Sequence, residues 1–202
     1  MAIGVLGGTF NPIHIGHLIL AQEVGIKMHL SKIIFIPAKI PPLKNISISP
    51  QHRYNMVKIA IDDNPFFEIS DIELKSDHIS HTYTTMQKLT AQTKEPITFI
   101  IGADNILSLP DWYRWQDLVS EYEIAIASRP NYPFSNLEKL QQQIPSQIYQ
   151  KLNNNIIEIP LVFLSSTTIR QKCRNGNPIT YLVPNSVNKY ITNNKLYQNA
   201  KN

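Results

Sequence analysis

Residues 4–18, GVLGGTFNPIHIGHL, decide how this chain is read. The stretch continues an apolar run that starts at Ala2 and ends at Leu6, the pattern of a buried strand. Gly7-Gly8 follows and predicts a tight turn. From His17 onward, Leu18, Ala21, Val24 and Met28 recur at helical spacing, so a helix comes next. Ser31 marks a break, and KIIFIP at residues 32–37 reads as a second buried strand. Strand, helix and strand in so short a span make a βαβ unit and hence a parallel sheet.

The rest of the chain extends this pattern. Residues 38–50, AKIPPLKNISISP, predict a mobile surface loop. Helices are expected at 51–61, 82–93, 112–119, 164–176 and 184–197, with a polar helical stretch at 135–152 broken at Pro145. Strands are expected at 97–104, 122–130 and 156–159, with two short strand-like pieces, FFEIS and DIEL, within 66–74. No internal repeat is visible. The fold class is α/β, a twisted parallel sheet with helices on both faces. The expectation is one domain over residues 1–202, its C-terminal helical part covering about 164–202.

Bulk properties narrow the function classes. The 202 residues are 43% hydrophobic and 17% charged, enough for a sizeable core. Apolar runs are too short to cross a bilayer, and MAIGVLGG has no basic leader region. Cys173 is the only cysteine, which excludes an intrachain disulfide and suits a reducing compartment. A cytoplasmic location without membrane partner is expected. The net charge of +4 comes from scattered residues and not from basic runs; a site for polyanionic small molecules explains it as well as nucleic acid would, plain solubility explains it best, and no nucleic-acid partner is expected.

Ligands of open α/β sheets bind beyond the carboxyl ends of the strands, where the turn after the first strand lies. Glycines admit close backbone approach, and a helix N-terminus favours anions. Gly7-Gly8 with His17 at a helix start therefore has the make-up of a phosphate site. It is neither a Walker loop nor a three-glycine dinucleotide fingerprint. What remains is His14-Ile15-Gly16-His17. Gly16 would let a ligand lie close, and both imidazoles could donate to one anion, stabilising charge on a transferring phosphoryl group. A metal pair and ordinary turn residues are the alternatives, the first weakened by the lack of nearby cysteine or acidic ligands. Near the other end, LSSTTIR at 164–170 is a helix start. Ser165, Ser166 and Thr167 are good capping residues, and Arg170 stands one turn further on. Together they could hold the β- and γ-phosphates of a nucleotide; plain capping with a surface arginine is the alternative.

GGTFNPIHIGH resembles the nucleotidyltransferase superfamily, marked by His-x-Gly-His after a Gly-Thr-Phe turn, and LSSTTIR matches its second hallmark in the expected order. IIGADNILSLPDWYRW at 100–115, SHTYTTM at 80–86, PPLK at 41–44 and SRP at 128–130 are similar to the bacterial nicotinate-nucleotide adenylyltransferase family. The resemblance implies a Rossmann-like nucleotidyltransferase fold and transfer of AMP from ATP to nicotinate mononucleotide, giving deamido-NAD and pyrophosphate. It implies catalytic roles for His14, His17 and Arg170. ATP would be bound by Gly8, Thr9, Phe10, His14, His17, Gly102, Asp104, Ser166, Thr167 and Arg170. The acceptor would be bound by Lys44, Thr82, Thr85, Trp112, Tyr113 and Arg129, with the pyridine ring stacked on Trp112 and its carboxylate on backbone N–H groups near Thr82, Thr85 and Tyr113. Asp104 would face the nucleotide ribose. Mg²⁺ would arrive with ATP, and no residue is assigned as a metal ligand. The partners implied are the two small substrates; association into a homo-oligomer is left open. Leu43 stands where the family usually has histidine, and Asn11 where it more often has aspartate. A phosphopantetheine-type adenylyltransferase lacks the Trp-Tyr segment, and a tRNA synthetase fragment would need a Lys-Met-Ser-Lys-Ser loop that this chain lacks.

Overall fold

The computed structural model describes residues 1–42, 46, 48–130, 132 and 135–198. Six strands form one sheet: β1 (Ile3–Gly8), β2 (Lys32–Pro37), β3 (Phe67–Ile69), β4 (Ile97–Gly102), β5 (Glu123–Ala127) and β6 (Ile156–Ile157). Their order is β3-β2-β1-β4-β5-β6, and every pairing is parallel. The chain builds outward from β1 to β3, then crosses back to lay β4 on the other side of β1. The reversal of direction opens a crevice at the carboxyl ends of β1 and β4, where such sheets bind ligands.

Among the described residues eight α-helices cover the sheet: α1 (Ile15–Lys27), α2 (Pro50–Ile61), α3 (Thr82–Gln92), α4 (Trp115–Glu121), α5 (Ser135–Gln141), α6 (Ser146–Asn153), α7 (Ser166–Arg174) and α8 (Asn185–Asn193). Alternate strand residues feed two apolar layers. Leu6, Phe35 and Ile100 pack with Leu20, Val57, Ile169 and Ile191, so α1, α2, α7 and α8 share one face. Val5, Phe99 and Ile101 pack with Met86, Leu118 and Leu152, so α3, α4 and α6 share the other. Burial from both sides explains why the strands read as continuous apolar runs.

Several local expectations are corrected. Gly7 and Gly8 are not a turn but the end of β1, paired with Ile36 and Pro37. The ladder uses only main-chain groups, so two side-chain-free residues still fit it. Helix α1 starts at Ile15, before His17. DIEL is not a strand; its backbone closes on itself, with the Lys75 N–H on the Asp71 carbonyl at 3.2 Å. Helix α4 starts at Trp115 because Arg114 adopts φ 54°, and a 3₁₀ turn at Ile106–Asp111 precedes it. Helix α8 ends at Asn193, and Lys195 and Tyr197 beyond it have φ of 51° and 64°.

Candidate active site

The loop from β1 to α1 is built around two rings. Phe10 takes φ 46° and is 3% exposed. Its ring meets His17 edge-on at 5.2 Å, and a Cβ on Gly8 would come within 3.0 Å of it. His14 is the residue before α1, in extended backbone conformation, and is 2% exposed. Its N–H donates to Nδ1 of His17 at 3.2 Å, and the His17 N–H donates to the His14 carbonyl at 2.9 Å. The two imidazoles stack at 3.8 Å between centroids. A Cβ on Gly16 would lie 3.1 Å from the His14 ring. The glycine between the histidines thus makes room for His14 itself, a packing role beside the ligand approach expected of it.

The second motif meets the first here. Ser165 caps α7 by accepting from the Thr168 N–H at 3.1 Å. Ser166 does not cap; its hydroxyl donates to the Pro12 carbonyl at 2.8 Å. Arg170 donates from Nη1 to the Asn11 carbonyl at 2.9 Å and from Nη2 to Thr167 Oγ1 at 3.1 Å. The Tyr197 hydroxyl donates to Asn11 Oδ1 at 2.7 Å. Residues far apart in sequence therefore hold one loop.

Burial, then the charge of Arg129, lowers the His14 pKa to about 3. Burial, then His14 and Arg129, holds His17 well below its usual range. Both rings are neutral in the free protein. Because His17 Nδ1 accepts the His14 N–H, the one proton of its ring sits on Nε2. A neutral His17 is thus still a hydrogen-bond donor. The pH dependence of stability follows. Both rings titrate near 6.5 when unfolded. Below that, the unfolded chain binds the extra protons, so stability falls as pH drops, approaching ~1.4 kcal/mol per pH unit for each ring. Urea titrations from about pH 7.5 to about pH 5 should show this fall, and His14→Gln should remove roughly half of the slope; an unchanged slope would contradict the neutral assignment.

At the end of β4, a Cβ on Gly102 would strike the Asp104 carboxylate and stand 3.1 Å from Arg129 Nε. The glycine admits the Asp104–Arg129 pair, whose ionic atoms lie 3.5 Å apart. Arg129 follows β5 and is felt electrically by both histidines. Gly8, Thr9, Phe10, His14, His17, Gly102, Asp104, Arg129, Ser166, Thr167 and Arg170 are therefore all carried by the carboxyl ends of β1, β4 and β5 or by the α7 helix tied to them.

A second group lies on the α3 side. Helix α3 starts at Thr82, and the side chain of His81 before it does not cap the helix. The first N–H groups of a helix lack partners within it. Thr82 and Thr85 line a cavity of about 20 Å³ with Gly7, Glu73 and Phe99. The Thr85 hydroxyl donates to Glu73 at 2.7 Å. Trp112 is half-buried; its Nε1–H donates to Ser108 Oγ at 3.2 Å and its ring meets Phe99 at 6.1 Å, near perpendicular. Tyr113 is 53% exposed and its ring lies 4.7 Å from that of His81. The contact joins the Trp-Tyr segment to the start of α3. Lys44 and Leu43 lie outside the described residues.

Three contributors escaped the sequence reading. Glu73 holds Thr85 with no motif to announce it, and His81, inside SHTYTTM but given no role there, meets Tyr113. Arg53 is 1% exposed and donates to the carbonyls of Thr9, Ala38 and Lys39. Its signal was available: a lone arginine on the apolar stripe formed by Met56, Val57 and Ala60 of α2.

Known proteins resemble this chain along most of its length. The cytidylyltransferase-like family matches residues 5–172. A probable nicotinate-nucleotide adenylyltransferase of Caldicellulosiruptor saccharolyticus is 38% identical over 200 residues, spanning 98% of this chain and 100% of its own. One of Oceanobacillus iheyensis is 39% identical over 202 residues, spanning 99% and 98%. In structure, Plasmodium falciparum nicotinic acid mononucleotide adenylyltransferase, solved in complex with NaAD, matches with a TM-score of 0.79 over 97% of each chain, at 21% identity. The matches extend over nearly the whole chain and include both motifs that the fold brings together: the chain belongs to the nicotinate-nucleotide adenylyltransferase family, within the cytidylyltransferase-like proteins.

Proposed function

We propose that this protein transfers AMP from ATP to nicotinate mononucleotide, yielding deamido-NAD and pyrophosphate. The observation that carries the proposal is the tie between the two motifs: Ser166 and Arg170 bond the carbonyls of Pro12 and Asn11, just ahead of the stacked histidines. An oxygen of the acceptor phosphate forms a bond to the α-phosphorus while the bond to the β-phosphate oxygen breaks. The electron pair leaves with pyrophosphate. Attacking and leaving groups are both anions, so no proton transfer and no protein nucleophile are required. Alignment and charge stabilisation are the enzyme's task.

In this reading, the His17 Nε2–H donates to a non-bridging α-phosphate oxygen, and the N-terminal end of α1 adds its positive dipole. His14, stacked on His17, faces the adjoining phosphates. Gly8, at the end of β1, with Thr9 and Phe10 after it, supplies main chain against the phosphates. Arg170, Ser166 and Thr167 take the β- and γ-phosphates, and Asp104 beside Gly102 takes the ribose. Trp112 carries the pyridine ring, the start of α3 at Thr82 and the Tyr113 amide take its carboxylate, Thr85 lines the cavity beside them with its N–H spent on the His81 carbonyl, and Arg129 and Lys44 take the acceptor phosphate.

Among the described residues no group of three or more His, Cys, Asp or Glu is placed to hold a metal ion. Mg²⁺ is read as part of the ATP substrate, ligated by phosphates, and no step is assigned to it. No helix among the described residues is long and apolar enough to cross a membrane; with the lone Cys173, a one-domain cytoplasmic enzyme is the consistent reading.

The test is pyrophosphate release with ATP or CTP as donor and nicotinate mononucleotide or phosphopantetheine as acceptor. Release should require ATP with nicotinate mononucleotide. Release with phosphopantetheine or CTP in its place would overturn the assignment. A finer expectation concerns Arg170→Ala. Its guanidinium pairs with phosphate in a fork that no other side chain reproduces. The variant should raise KM for ATP about tenfold or more, the worth of a charge-assisted bond, while the affinity for nicotinate mononucleotide stays within about threefold. Separate titrations of the two substrates check it, and equal losses for both would contradict it.

A further inference from the structure

Four carbonyls of the segment that links β1 to α1 are held by donors from the rest of the protein. The Gly8 carbonyl accepts from the Ala38 N–H, that of Thr9 from Arg53, that of Asn11 from Arg170 and that of Pro12 from Ser166. A carbonyl oxygen pointed at a triphosphate would repel it, whereas amide N–H groups attract it. Donors that capture the Gly8, Thr9 and Pro12 carbonyls leave the N–H of the next residue on the opposite side of the peptide; Asn11 is followed by Pro12, which has no N–H. Arg170 and Ser166 belong to a motif with its own phosphate role. Arg53 does not.

We infer that Arg53 is a positioning residue of the adenylyl-transfer site: it captures the Thr9 carbonyl on one side and the Ala38 and Lys39 carbonyls on the other, and so holds the phosphate loop in register with the start of the segment after β2. This inference rests on the adenylyl-transfer reading. Arg53 donates from Nη1 to Thr9 at 2.8 Å and to Ala38 at 2.6 Å, and from Nη2 to Lys39 at 3.1 Å. All three hydrogen bonds go to main-chain carbonyls at the carboxyl ends of β1 and β2. The Glu73 carboxylate favours the charged guanidinium through space, but the hydrogen bonds of Nη1 and Nη2 go to carbonyls of two loop segments, and the buried Nε has no hydrogen-bond partner among the described residues. Thr9 is followed by Phe10, whose ring contacts His17, so the register of Thr9 is passed on to the reacting site through one residue. A lysine cannot span three carbonyls from one point charge.

The test compares wild type, Arg53→Lys, Arg53→Met and Met56→Ala. Met56 is fully buried on the same helix and serves as a stability control. Circular dichroism and Tm establish a temperature at which each variant is folded, and kcat and both KM values are measured there. Misplacing a reacting group by about 1 Å can cost ~10²-fold in rate. The expected result is a fall in kcat of about 10²-fold for Arg53→Met and of at least about tenfold for Arg53→Lys, with KM for ATP rising by less than the fall in kcat. Met56→Ala should lower Tm while its kcat stays within about twofold of wild type. Wild-type kcat in folded Arg53→Lys and Arg53→Met would overturn the inference. So would losses that merely track the folded fraction, or failure of both variants to fold where Met56→Ala folds. If wild type itself forms no dinucleotide, the adenylyl-transfer reading falls and takes this inference with it; if wild type is active and the Arg53 variants match it, only the inference falls.

Discussion

His17→Ala is expected to lower kcat by ~10²–10³ while changing KM for ATP by less than about tenfold, because a donor aimed at charge that develops in the transition state contributes mainly there. The ring is fixed for this before substrate arrives. Its Nδ1 is occupied by the His14 N–H, its face by the His14 imidazole and its side by Phe10. Little reorganisation is left for the moment of reaction. Because the proton is on Nε2 of a neutral ring, activity should not require protonation of His17, and kcat should not fall on raising the pH through 6.5, the ordinary histidine value. His17→Asn, whose amide can still donate, should recover part of the loss. Steady-state kinetics on the purified variants check both points; near-wild-type kcat in His17→Ala would remove His17 from the catalytic role.

The second large effect is on the acceptor. Nicotinate mononucleotide should be preferred over its amide by about a hundredfold or more in kcat/KM. The α3 N-terminus is uncapped by His81, and Tyr113 is brought beside it by the ring contact with His81. In the proposed pose both present N–H donors to the ring substituent. A carboxylate accepts from two such groups; a carboxamide brings an NH₂ that faces a donor with a donor. Leaving one buried N–H unpaired costs roughly 1–3 kcal/mol, and charge-assisted bonds to the acid add to the difference. At about 1.4 kcal/mol per factor of ten, the sum reaches two powers of ten. Measured at saturating ATP and Mg²⁺, equal kcat/KM for acid and amide would rule out a carboxylate site made from these groups.

How much of this was legible beforehand depends on which atoms carry the interaction. The βαβ start was readable because residues 3–6 and 33–36 are buried on both faces of the sheet and so form unbroken apolar runs. The histidine pair and LSSTTIR were readable because side chains carry their chemistry. Gly7-Gly8 misled because a glycine pair suggests a turn, while parallel pairing with Ile36 and Pro37 needs only the main chain. The strand pattern of DIEL misled similarly: tertiary contact through Glu73 and Thr85 outweighed local alternation. Arg53 could be flagged as odd on an apolar stripe, but its partners are carbonyls of Thr9, Ala38 and Lys39, which have no residue signature. The proposed carboxylate end of the acceptor site would rest on backbone N–H groups, which likewise have no residue signature, and only the resemblance pointed to it.

The central claim, that the α-phosphoryl group passes from ATP to the phosphate of nicotinate mononucleotide, is tested most directly by following a label. The protein is incubated with Mg²⁺, nicotinate mononucleotide and ATP radiolabelled at the α-phosphate, and the products are separated. The account predicts that the label appears in a dinucleotide that comigrates with deamido-NAD, in step with unlabelled pyrophosphate, and that none becomes bound to the protein. Label in ADP or in free AMP with no dinucleotide, or label trapped on the chain, would contradict it.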